Sequence, residues 1–330
     1  MRKNQKILAI LFSLLIVSFI SLIVLYRGGR CPINIFINKQ PIKQVKLNLS
    51  SSGKNEIKEF TDDLNNRISI KYPPQRIVSL APNITEILFS LGLENRVAGV
   101  TRFCNFPEKA KQKEIVGGIL DLNFEKILSL NPDLVIGTRG NSLQAIHRLK
   151  KLKVNIFAIN FKESLEDLFR MIIKISEITG KKEDGIEFVK RIKNDIKKLK
   201  NEFKIKSSPK AFVCLDGKEL WTAGKNTIIN ELIQKAGGIN ISSVNSFWFK
   251  MSKEEFLSKN PDIIFMMSKD ENDYHRQLIE LKQIPGIELI SAIKDRKVFY
   301  LNEDLVSRPG PRIVEAFEEI IKGMTDAEKK

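Results

Sequence analysis

Residues 123–136 read NFEKILSLNPDLVI, and residues 252–265 read SKEEFLSKNPDIIF. Aligned without gaps, they share Glu125 with Glu254, Leu128 with Leu257, Ser129 with Ser258, Asn131 with Asn260, Pro132 with Pro261 and Asp133 with Asp262. Each copy reads as a short capped helix, an Asn-Pro-Asp turn and an apolar run of strand length. One unit written twice predicts two similar lobes.

The surroundings repeat as well. The strand and helix expected over 76–92 correspond to the run at 211–214 followed by a helix over 227–237, and KVNIFAIN corresponds to KVFYLN. In the first lobe Asn83 and Glu86 have the spacing of a capping box, and Gly92 stops the helix. Ahead of it, IKEFTDDLNNRISIKYPP reads as a hairpin around a turn rich in Asp and Asn. Strands alternating with helices give an α/β class with mainly parallel sheets. Between the lobes, Ile186, Val189, Ile192, Ile196, Leu199 and Phe203 draw one narrow apolar stripe on an otherwise charged stretch. The expected architecture is two similar α/β lobes with mainly parallel central sheets, at 57–180 and 207–330. One long α-helix at 181–206 bridges them as a strut. Residues 31–56 read as a linker, and residues 1–30 as an N-terminal membrane segment.

That N-terminal segment places the rest of the chain. Arg2, Lys3 and Lys6 precede an apolar run over residues 7–26 in which serine is the main polar residue. About 20 apolar residues span the hydrocarbon core as a helix. The run is longer than an ordinary signal-peptide core, and no small-residue cleavage site follows it. Cys31 stands where a lipoprotein cysteine would, but Arg30 precedes it in place of a small residue. The order of readings is uncleaved anchor, cleaved signal peptide, then lipoprotein. All three put the remainder outside the cytoplasmic membrane.

With 42% hydrophobic and 28% charged residues, the chain of 330 has enough material for two cored lobes. Its net charge of +16 raises a nucleic-acid partner. There is no arginine-rich tract, zinc-finger spacing or aromatic-basic interleaving, and the lysines gather over 181–206. The reading is a solvated lysine-rich face and no nucleic acid. The three cysteines, Cys31, Cys104 and Cys214, include no CxxC pair, and Cys214 in AFVCL reads as a core thiol. A Cys104–Cys214 bridge stays open. His147 and His275 lie far apart, so no protein-held metal site is expected. Enzyme motifs are absent: there is no G-x-S-x-G, and AGKNT lacks the glycine and hydroxyl of a phosphate loop. The chain reads as a binder rather than an enzyme.

Four stretches, from TDDLNNRISIKYPPQRIVSLAPNITEILFSLG through NFEKILSLNPDLVIG and WTAGKNTIINELIQKAGGIN to DLVSRPGPRIVEAFEEI, resemble the helical-backbone class of substrate-binding proteins. Those proteins serve ATP-driven importers of cobalamin, ferric siderophores and haem. The resemblance runs from Ile57 to the last helix and implies a ligand held between the lobes. The loops after the strands line such a cleft: 81–83, 103–106, 118–120 and 138–141 in the first lobe, and 216–221, 246–249, 267–268 and 304–308 in the second. Candidate ligand contacts are Pro82, Asn83, Phe103, Phe106, Ile119, Thr138, Trp221, Trp248, Asp304 and Arg308. By local match, Phe103, Trp248, Asp304 and Arg308 fall where cobalamin binders of the class touch the corrinoid. The match departs at Ile119 and Thr138, where such binders tend to carry an aromatic. Arg102, Arg139 and Arg308 are the arginines that could grip an anionic iron chelate. The resemblance also implies partners, namely an ABC permease with its ATPase, and a ligand containing cobalt or iron, a corrinoid first; the alternatives are a ferric siderophore or haem in the same role, or a membrane-tethered ligand sensor without transport. It gives Glu125 and Glu254 the role of docking on permease arginines, one per lobe.

Overall fold

The computed structural model describes residues 56–138, 140–242 and 244–329. The apolar run at 7–26, Cys31, nearly all of the 31–56 linker and Arg139 lie outside the described residues. No helix among the described residues is long and apolar enough to cross a membrane.

The described residues open with the expected hairpin, β1 (Glu56–Thr61) pairing antiparallel with β2 (Arg67–Tyr72). The first lobe follows as β3 (Ile77–Ser79), α1 (Pro82–Ser90), β4 (Val97–Val100), β5 (Glu114–Ile115), α2 (Phe124–Ser129), β6 (Leu134–Thr138), α3 (Leu143–Lys151), β7 (Ile156–Ile159) and α4 (Leu165–Ile178). A single helix, α5 (Lys182–Glu202), leads to the second lobe. That lobe comprises β8 (Lys210–Cys214), β9 (Trp221–Ala223), α6 (Ile228–Ala236), β10 (Ile239–Asn240), β11 (Trp248–Lys250), α7 (Lys253–Lys259), β12 (Ile263–Ser268), α8 (Glu271–Lys282), α9 (Ser291–Lys294), β13 (Val298–Asn302), α10 (Glu303–Ser307) and α11 (Ile313–Lys329).

Both main sheets are parallel throughout. Their orders are β5-β4-β3-β6-β7 and β10-β8-β12-β13. The central strands are apolar on both faces, as strands covered by helices on each side must be. A short antiparallel pair, β9 with β11, is extra to the second lobe.

The repeat has a physical cause. The Asn123 side chain accepts the Lys126 N–H at 2.9 Å, and the Ser252 hydroxyl accepts the Glu255 N–H at 3.0 Å, so both copies start on a capped helix. Asn131 and Asn260 then take left-handed backbones, with φ of 44° and 42°. Asparagine tolerates that region better than most residues. The aspartate that follows staples the neighbouring strand. Asp133 Oδ2 accepts the Gln75 and Arg76 N–H groups at 2.7 and 2.9 Å, and Asp262 Oδ2 accepts the Lys210 N–H at 2.8 Å. Each Asn-Pro-Asp turn therefore sets the start of β3 or β8 beside β6 or β12.

The bridging helix is unbroken over 21 residues, roughly 32 Å at ~1.5 Å per residue. Val189, Ile192 and Ile196 are buried, and Leu199 and Phe203 pack on the same core. Ile186 departs from the expected stripe and is exposed. The buried position on that turn is Gly185, where a Cβ would stand 2.1 Å from Ser176 Oγ. Glycine is needed there because α4 and α5 cross closely. One apolar cluster runs from Ile68 and Ile175 of the first lobe through Val189 and Ile196 to Val213 and Phe317 of the second. Cys104 and Cys214 are free buried thiols, so no bridge joins them.

The hairpin turn is fastened to the first lobe by Asp63. It pairs with Arg170 at 2.8 Å and with Lys174, and it accepts the Asn160 N–H at 2.8 Å. Burial pushes its carboxyl upward, but the hydrogen bonds from Lys174, Arg170 and Asn160 outweigh this and hold it below the usual aspartate value. Its contribution to stability is thus complete above the unfolded pKa of ~3.9 and is lost as pH falls through the folded value. Asp63→Asn is expected to cost about 1.5–3 kcal/mol at pH 7. Urea unfolding at pH 7 and in acid checks this: the gap from wild type must close in acid.

Candidate functional site

A cavity of about 450 Å³ lies between the lobes. The first lobe contributes Pro82, Asn83, Phe103, Ile119 and Thr138, and the second contributes Glu303, Ser307, Arg308 and Pro309. Phe161 and Glu163, on the segment entering α4, complete the lining. Pro82 follows β3 and Thr138 ends β6, the adjacent strands from which the first sheet runs in opposite directions. In parallel α/β sheets that switch point is where ligands sit.

The loops are held by a residue whose role the sequence did not reveal. Asn141 is fully buried. Its side chain accepts the Thr138 N–H at 2.9 Å and donates to the carbonyls of Leu80 at 3.2 Å and Ile119 at 2.9 Å. One amide thereby pins three cavity loops. An Asn three residues after a strand's last threonine is a faint signal, because asparagine is also an ordinary turn residue.

Two polar links cross between the lobes near the cavity. In the first, Arg308 donates to Asn105 Oδ1 at 2.6 Å and pairs with Asp304 at 2.9 Å, while Asn105 Nδ2 donates to Asp304 Oδ2 at 3.0 Å. In the second, Arg312 grips Glu86 with two bonds of 3.0 and 2.7 Å. Only 12% of the Arg312 side chain and 2% of the Glu86 side chain are exposed. This corrects the capping-box expectation. Helix α1 starts at Pro82 from an N-cap at Ala81 without a side-chain cap, so Asn83 lies inside the first turn. Glu86 spends its carboxylate on the other lobe instead. Burial raises the Glu86 pKa, and the Arg312 charge offsets this only in part. A third link, the Leu165 N–H to Glu231 Oε2 at 2.9 Å, joins the lobes beside α5.

Six of the ten candidate contacts line this cavity: Pro82, Asn83, Phe103, Ile119, Thr138 and Arg308. Asp304 sits just behind it, bound to Arg308. The other three lie elsewhere. Phe106 lies under the Arg312 guanidinium at 4.3 Å from its ring centre and faces a separate hollow with Glu86 and Phe89. Trp221 is 41% exposed at the start of β9. Trp248, in β11, is half-buried against the large apolar core. Of the arginines raised for anion binding, Arg102 is engaged by Asp121 and Arg308 by Asp304 and Asn105. Among the described residues, no group of three or more His, Cys, Asp or Glu is placed to hold a metal ion. Glu125 and Glu254 are exposed in the first turns of α2 and α7, with no ion pair among the described residues.

Two parallel α/β lobes joined by one helix, with a cavity lined from both sides, define a bilobed ligand-binding protein. The chain belongs to the periplasmic binding protein family, whose model matches residues 77–305. It is 31% identical over 271 residues to the uncharacterized ABC transporter substrate-binding lipoprotein YvrC of Bacillus subtilis, covering 80% of this chain and 84% of that one. Among solved structures, the periplasmic vitamin B12 binding protein BtuF of Vibrio cholerae superposes with a TM-score of 0.64 at 27% identity, covering 78% of this chain and 99% of that one. The periplasmic heme-binding protein RhuT from Roseiflexus sp. RS-1 gives 0.69 at 26% identity, covering 77% and 98%. These relatives are binding proteins, not enzymes.

Proposed function

We propose that this protein is the extracytoplasmic substrate-binding component of an ABC importer, that it takes a cobalt corrinoid between its lobes, and that it delivers the ligand to a permease driven by an ATPase. The charge state of the described cavity lining supports the choice of ligand. Arg308 on the cavity wall and Arg102 outside its lining are both committed to carboxylates of the protein itself, and Arg139 lies outside the described residues. A polyanionic ferric chelate needs free cations, whereas a neutral ring edged with amides needs apolar walls and a few hydrogen-bond partners. Pro82, Phe103 and Ile119 supply such walls. The likeness to a B12 binder supports the same reading.

Haem is the second reading, favoured by the likeness to RhuT. Haem iron calls for an axial His, Tyr, Cys or Met. The described residues lining the cavity include none of these. Ferric siderophores remain a third arm of the test. The apolar run at 7–26 belongs to this proposal as a membrane anchor, and the native protein should stay with membranes after a salt wash.

Fluorescence titration of the detergent-solubilised chain tests the ligand, with Trp221 and Trp248 as the only reporters. Cobalamin, cobinamide, haem and ferric siderophores are compared. Corrinoids should bind most tightly, and Phe103→Ala should weaken them by about 1–3 kcal/mol through loss of a stacking face. Tighter binding of haem or of a ferric siderophore would replace the corrinoid reading.

A further inference from the structure

Glu163 borders a second hollow as well as the cavity. This hollow, of about 430 Å³, is walled by Ser164 on one side and by Lys225, Asn226 and Phe247 of the second lobe on the other. Glu163 is the one residue that lines both hollows.

Glu163 is ill suited to this place on structural grounds alone. Its φ is 63°, a left-handed backbone that glycine or asparagine would adopt at lower cost. Its side chain is half-buried, yet among the described residues it has no hydrogen bond and no ion pair. Burial accordingly holds its carboxyl above the ordinary glutamate pKa. In the free protein the residue is unfavourable twice over, through its backbone and through a desolvated carboxylate without a partner. Those disadvantages are offset if the missing partner arrives with the ligand.

The chemistry of that partner follows from the charges around it. An ionised carboxylate only accepts hydrogen bonds. Glu303 adds a second acid to the lining of the first hollow, where the one described cation, Arg308, is paired with Asp304, while Lys162 and Lys225 line the second hollow. N–H donors are favoured on the first-hollow side of Glu163, and ligand carboxylates are repelled there.

We propose that Glu163 is a specificity-determining residue that accepts hydrogen bonds from amide N–H groups on the ligand rim, where the ligand passes from the first hollow towards the second. This rests on the corrinoid reading above. The test titrates the full chain with two probes of the same ring, cyanocobinamide with amide side chains and cobyrinic acid with carboxylates. Wild type should prefer cobinamide by about tenfold or more, the effect of one hydrogen bond to a charged group. Glu163→Gln should weaken cobinamide by about as much and bring the two probes within a few-fold of each other. Glu163→Gly should lose the same preference while its ligand-free Tm rises, because the left-handed backbone is relieved. If wild type binds both probes equally, or Glu163→Gln leaves both affinities unchanged, the role of Glu163 is wrong and the corrinoid reading stands. A lower ligand-free Tm in both variants would make Glu163 a structural residue and overturn the proposal. If neither probe binds wild type, the corrinoid reading falls and takes this inference with it.

Discussion

Arg312→Ala is expected to lower the free energy of unfolding by about 3–5 kcal/mol, the usual consequence of leaving one member of a buried ion pair alone. Glu86 would keep its burial and lose both bonds from the guanidinium. The Phe106 ring would lose the cation above it. The loss depends on pH in a definite direction. Burial already holds the Glu86 pKa above its ordinary value with Arg312 in place. Removing Arg312 raises it further, so the penalty is largest at neutral and alkaline pH. It shrinks as pH falls and Glu86 takes up a proton. Urea midpoints between pH 4 and 8 measure this. The double variant Glu86→Leu with Arg312→Met is the control, since an apolar pair of similar volume often costs little. A single variant within 1 kcal/mol of wild type, on the order of a surface pair, would mean that the link carries no weight.

The second large effect concerns transport. Glu125→Arg combined with Glu254→Arg is expected to abolish uptake of labelled cobalamin in cells while leaving ligand affinity in solution unchanged. Both glutamates are exposed and unpaired among the described residues. They occupy matching positions in the repeat, which suits a partner with two similar halves. Like charges brought face to face across an interface cost several kcal/mol. Full uptake by the double variant would end the docking role, and the two residues would then be no more than favourable charges at helix starts. Loss of ligand binding in a folded variant would be equally fatal to it.

The sequence by itself determined the fold. The two copies around Asn131 and Asn260 specify a local structure, a capped helix followed by a left-handed turn and a stapling aspartate, and local structure depends on neighbours in the chain. The buried strands and the stripe on α5 were legible for the same reason, since periodicity reports which face is covered. Even there one residue escaped. Ile186 fits the stripe by spacing, but the close crossing at Gly185 turns it to solvent.

The site was legible only in part. Loops that follow parallel strands meet at one end of a sheet, and this together with the family resemblance picked out Pro82, Asn83, Phe103, Ile119, Thr138 and Arg308, while Phe106, Trp221 and Trp248, picked the same way, lie elsewhere. Tertiary structure decided what each polar group does there. Glu86 has the spacing of a local cap and instead reaches a residue 226 positions away. Arg308 and Arg102 look like free cations in the sequence and are occupied in the fold. Asn141 looks like a turn residue and holds three loops. Glu163 carries no motif and becomes conspicuous only once its backbone angle and its lack of a partner are seen. The reason is common to all of them: a charge or an amide has its meaning set by the nearest opposite group in space, and that group is brought there by packing that no local pattern encodes.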